Sequence, residues 1–115
     1  MEFYFHHTDG DVMVLTADGG LTPENVPQFV SELDKLIEGG VKKVIVDCAK
    51  LRYVSSRGLL ALLKEKRVLS ERGGEIRLAC VCGRVAKVLG LLGVSEKFDL
   101  YPSVDSARGS FGDLL

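Results

Sequence analysis

Short β-branched runs alternate with leucine stripes at helical spacing along this chain, and glycine pairs separate them. No other feature constrains the fold as much. "DVMVLTA" (11–17), "KKVIVDC" (42–48) and "EIRLACV" (75–81) are β-like,. Between them Val26, Phe29, Val30, Leu33 and Ile37, then Leu59, Leu62, Leu63 and Leu69, recur at the spacing of one helical face,. Val85, Val88, Leu89 and Leu92 form a third stripe, closed by Gly93; Gly39-Gly40 and Gly73-Gly74 end the first two,. Asn25 is the expected N-cap of the first helix, and Pro27 fits only within its first turn. Upstream, "FYFHH" is joined to the next run by Asp9-Gly10, a strong hairpin signal,. A short strand near Phe98–Tyr101 and a last helix from Ser103, with Val104, Ala107 and Phe111 inward, complete the pattern. The order β-β-α-β-α-β-α-β-α predicts an α/β fold. It implies βαβ crossovers, a mixed but mainly parallel sheet with an N-terminal hairpin, and about four helices in a single domain spanning 1–115.

With 115 residues, 46% of them hydrophobic, the chain can bury a core without disulfide or metal staples,. It has no apolar run of about 18 residues, so no membrane span is expected. "MEFYFHHTDG" lacks the basic start and apolar block of a signal peptide. Three cysteines make no secreted disulfide framework, which points to a reducing cytoplasm,. The net charge of −1 hides an asymmetry: residues 1–49 carry nine acids and three bases, residues 50–90 three acids and ten bases. That basic stretch is either the solvated face of two helices or a surface for nucleic acid, phosphate or an acidic protein. Only Tyr53 interleaves it as an aromatic, so no nucleic-acid partner is expected.

Chemistry in a βαβ fold gathers where strands end and helices begin. "LRYVSSRGLLALL" (51–63) places Ser55 and Ser56 there. Local physics offers Ser56 as the N-cap of the following helix, with Ser55 shaping the corner. At about 100° per residue, Leu59, Leu62, Leu63 and Leu69 point inward. Arg57, Ala61, Lys64 and Val68 lie opposite, with Leu60 at the edge. That outward strip is either a docking face or ordinary surface. Lys66 falls on the inward stripe, its stem expected along apolar surface with its amine escaping.

These segments together resemble the STAS domain family, and within it the stand-alone anti-sigma factor antagonists of bacteria. The resemblance rests on "VIVDCAKLRYVSSRGLLALL", "ERGGEIRLA", "VAKVLGLLGVSEKF" and "SVDSAR", and covers nearly the whole chain. Aligning Gly58-Leu59 on the family's pattern implies that Ser56 is the phosphoacceptor. Asp47, Ser55, Arg57 and Gly58 become its switch-site neighbours. There are two departures: Ser55 stands where many members have aspartate, and Arg57 where Ser or Ala is usual. The resemblance implies partner switching. An anti-sigma factor that is also a serine kinase would bind the unmodified protein through Leu60, Ala61, Lys64 and Val68, then phosphorylate Ser56; a phosphatase would reset it. A STAS subunit that is never phosphorylated, serving a lipid-transport or sensory complex, is the alternative, favoured by Arg57.

The other signals carry less. Cys80 and Cys82 share one face of a presumed strand and are read, with Cys48, as buried small hydrophobes. A redox role for the Cys80/Cys82 pair is the third reading. His6 and His7 face opposite sides of a strand and make a poor metal pair. No phosphate loop and no nucleophile–base–orienter set is present, so no enzymatic activity, cofactor or metal is expected. The sequence carries no signal for oligomeric state.

Overall fold

The computed structural model describes residues 2–8, 11–93 and 97–112; for residues 2–8 and 112 only the backbone path is described. Five strands and four helices follow the expected order: β1 (Glu2–Thr8), β2 (Val12–Leu21), α1 (Val26–Glu38), β3 (Lys43–Val54), α2 (Ser56–Glu71), β4 (Glu75–Ala79), α3 (Gly83–Leu91), β5 (Leu100–Tyr101) and α4 (Val104–Gly112). The strands lie side by side in chain order. β1 runs antiparallel to β2, and β2 through β5 are parallel. The Asp9-Gly10 turn lies outside the described residues, as do the His6 and His7 side chains; the pairing on either side, Glu2 opposite Asp18 to Thr8 opposite Val12, is that of a hairpin.

Strands added one after another in a single direction, with right-handed crossovers, leave their connecting helices on one face of the sheet. Phe29, Leu33 and Ile37 of α1, Leu59, Leu62 and Leu69 of α2, and Val85 and Leu89 of α3 accordingly share one core. α4 follows the last strand onto the opposite face, where Ala107 and Phe111 pack on Val12, Val14, Ile45 and Ala79. β3 shows the two-residue period that separates the layers: Val44, Val46 and Cys48 belong to the first core, Ile45 to the second,. Each buried Leu, Ile, Val or Phe contributes about 1.5–3 kcal/mol.

β3 pairs with β4 only from Lys43 to Asp47, but with β2 as far as Val54. The β2–β3 ribbon therefore overhangs the sheet, with register shifts between Thr16 and Asp18 and between Gly19 and Gly20. Its tip carries the two serines.

Two local expectations change. Asn25 occupies the N-cap position of α1 but makes no side-chain cap; its Oδ1 accepts from Thr22 N at 2.9 Å and its Nδ2 donates to Gly20 O at 2.9 Å, bracing the β2–α1 loop. β4 stops at Ala79, although Cys80 N still donates to Tyr101 O at 2.9 Å. Cys80 then turns into the left-handed region (φ 61°) and Cys82 becomes the N-cap residue of α3, exposed to solvent. Cys82 is therefore not a buried hydrophobe. Cys80 is half-buried, and Cys48 is buried as expected.

Candidate functional site

The corner at the end of β3 separates the two hydroxyls by function. Ser55 is 6% exposed and has extended backbone (φ −75°, ψ 166°), the conformation an N-cap needs,. Its Oγ accepts from Gly58 N at 3.0 Å, its carbonyl accepts from Leu59 N at 3.0 Å, and its N–H donates to Leu21 O at 2.8 Å. The last bond continues the β2–β3 pairing one residue past the strand. The N–H, the carbonyl and the hydroxyl oxygen of Ser55 are all engaged.

Ser56 is already the first helical residue, so the cap falls one position earlier than the sequence reading placed it. Its side chain is exposed, and its hydroxyl has no hydrogen-bond partner among the described residues. A cap requires non-helical backbone and an oxygen aimed at the N–H three residues on; Ser55 meets both conditions through Gly58.

Gly58 allows the close approach that this corner requires. A Cβ there would lie 2.8 Å from Leu21 Cγ and 3.1 Å from Leu21 O. α2 thus starts pressed against the end of β2. Its first turn holds no acidic residue, so the amide ends and the neighbouring Arg57 leave the local field positive,.

The proposed contact strip divides. Arg57, Leu60 and Lys64 are exposed, Leu60 at 66% of its full surface. Among the described residues neither Arg57 nor Lys64 forms a salt bridge. Ala61 is buried rather than outward, because α2 packs against α1 as well as the sheet, and its buried arc widens to take in Gly58, Ala61 and Glu65. Val68 is half-buried and packs against the core. Leu63, expected inward, is half-buried on the opposite flank. Tyr53, 49% exposed beside Gly20, adds an apolar group near the tip that helical spacing could not supply. The Lys66 amine does not escape as expected: it is held in a part-buried pair with Glu75 and sits 5.7 Å from the centre of the Phe98 ring.

Asp47 stands apart from Ser56. Seven further β3 residues follow it before the corner, and its carboxylate accepts from Ala49 N at 3.1 Å. It lies beside Cys80, where burial first and then the Asp47 charge raise the thiol's pKa. Burial pushes Cys48 up to about 12. Both thiols are held as neutral S–H groups. Among the described residues no group of three or more His, Cys, Asp or Glu side chains is placed to hold a metal ion, and no helix is long and apolar enough to cross a membrane.

One notable residue escaped the sequence reading. Glu65 is wholly buried, and neither of its oxygens has a hydrogen-bond partner. The signal was present: Glu65 is three residues after Leu62 and four before Leu69, on the inward stripe,.

This chain belongs to the STAS domain family, whose model matches residues 6–107. A protein of Bordetella bronchiseptica named as an anti-sigma factor antagonist, BtrV, is 26% identical over 115 residues, covering 100% of this chain and 98% of the relative. A solved structure from Thermotoga maritima, described as an anti-sigma factor antagonist, superposes with a TM-score of 0.87 at 22% identity, over 94% of this chain and 92% of that one. The Bacillus cell fate determinant SpoIIAA, solved in its phosphorylated form, superposes with a TM-score of 0.76 at 19% identity, over 96% of this chain and 99% of its own.

Proposed function

We propose that this protein is an anti-sigma factor antagonist that works by partner switching, with Ser56 as its phosphate acceptor. The observation that carries the reading is the division of labour at the corner: Ser55 is buried and spent on the cap, while Ser56 beside it is exposed and unbonded. Modification of Ser56 therefore costs the fold no hydrogen bond. The likeness to BtrV over the full chain supports the role, and SpoIIAA is a structural neighbour that exists in a phosphorylated form.

In the unmodified state, the anti-sigma factor docks on Leu60 as an apolar anchor, with Arg57 and Lys64 as a cationic rim and Tyr53 alongside. Ala61 and Val68 support this strip from beneath. The anti-sigma factor is itself a serine kinase. Ser56 Oγ attacks the γ-phosphorus of its ATP, the Oγ–P bond forms as the bond to ADP breaks, and the hydroxyl proton passes to a base on the kinase. Phosphoserine brings about −1.5 to −2 charges. The α2 N-terminus and Arg57 stabilise that anion, so the domain stays folded. The cationic rim is neutralised and the docked partner leaves; a phosphatase restores the hydroxyl.

Ser56→Ala is expected to bind the anti-sigma factor as wild type does and to resist release by ATP, while Ser56→Asp binds more weakly in a titration. Equal affinity of Ser56→Asp and wild type would refute the charge switch. Equal behaviour of all three proteins, with and without ATP, would identify a constitutive STAS binding subunit instead.

A further inference from the structure

Glu65 sits in the buried arc of α2 where that helix meets α1. It is 0% exposed, and neither carboxyl oxygen receives a hydrogen bond. The acid that acts on it from α1 is Asp34, itself half-buried. Lys64, on Glu65's own helix, is exposed and offsets the charge least of the groups that act on it. The core shared by α1, α2 and the sheet is apolar, and its one thiol, Cys48, is neutral.

Two ionised carboxylates have only acceptors to offer each other, and with one of them buried they repel. One proton between them turns the same contact into an O–H···O⁻ hydrogen bond, among the strong ones. We propose that Asp34 and Glu65 share a single proton across the α1–α2 contact, and that this proton clamps α2, the helix that begins at Ser56, onto α1. The clamp does not involve Ser56 and stands whether or not Ser56 is phosphorylated.

Burial first, then Asp34, push the Glu65 carboxyl from its ordinary value of 4.5 up to about 7. The folded chain thus keeps a proton that the unfolded chain releases. The stabilisation is complete below the unfolded pKa and is lost as pH rises through the folded one. Near neutrality the packing of α2 becomes pH-sensitive.

The test compares wild type with Glu65→Gln, which keeps the shape and cannot ionise. Denaturant titrations at about pH 5.5 and about pH 8.5 are expected to show the wild-type folding constant falling roughly 30-fold more than that of the variant. The comparison cancels His6 and His7, which both proteins retain. A carboxyl-carbon NMR titration of the wild type, which needs no variant, is expected to place Glu65 near neutrality. Asp34→Asn is expected to lower that midpoint only part of the way, since burial remains. Parallel pH profiles for wild type and Glu65→Gln, or a Glu65 midpoint in the ordinary carboxylate range, would each overturn the proposal.

Discussion

Replacing Gly58 by alanine tests how tightly α2 is pressed onto the β2–β3 ribbon. The new methyl would lie 2.8 Å from Leu21 Cγ, 2.9 Å from its Cδ2 and 3.1 Å from its carbonyl oxygen. The side-chain contacts could be relieved by a rotamer change, but Leu21 is only 3% exposed and has little room. The carbonyl cannot move freely either, because it accepts the Ser55 N–H at 2.8 Å. Overpacking of this kind costs about 1–3 kcal/mol, and the helix preference of Ala over Gly returns about 1 kcal/mol at most. A net loss of up to about 2 kcal/mol follows. For 115 residues the unfolding entropy is about 240 cal/mol/K, so Tm should fall by up to roughly 8 °C in a thermal melt followed by circular dichroism,. Gly109→Ala is the control: it is also helical, but nothing lies within 4 Å of the added methyl, and it should gain stability by about 0.5–1 kcal/mol,. If Gly58→Ala melted at or above the wild-type temperature, the close approach would not be a constraint and the geometry of the corner would need another explanation.

The remaining predictions concern the serines and the thiols. Ser55→Ala should lose about 1–2 kcal/mol in denaturant unfolding, whereas Ser56→Ala should stay within about 0.5 kcal/mol of wild type, the reverse of what a cap at Ser56 would give. A small alkylating reagent should modify Cys82 in the native protein and reach Cys48 only after unfolding, because Cys82 is exposed and Cys48 is buried with its pKa raised to about 12; mass mapping before and after denaturant reads both.

Element order was legible because period-two and period-3.6 patterns seldom imitate each other over a whole helix or strand. Leu59, Leu62 and Leu69 announce α2, and its observed end at Glu71 falls just ahead of Gly73-Gly74, as expected. Misreadings arose where tertiary contacts decide. The cap moved to Ser55 because the β2–β3 pairing runs one residue past Val54, which spacing along one segment does not reveal. Ala61 was assigned outward from a wheel built on leucines alone, whereas α1 covers a second side of α2. Cys82 was read as strand because the left-handed turn at Cys80, a non-glycine residue, leaves no signal in the alternation of residue types. Asp47 was joined to the switch by alignment, and the long overhang of β3 separates them. The pair of serines was conspicuous in the sequence; which one is free followed only from hydrogen bonds.

The central claim is most directly tested by intact mass with fragment mapping on the protein isolated from its own cells. A phosphate on Ser56 in a fraction of the molecules, with Ser55 unmodified, is the predicted result. Ser56 without phosphate across growth and stress conditions, or phosphate on Ser55 in its place, would contradict the account.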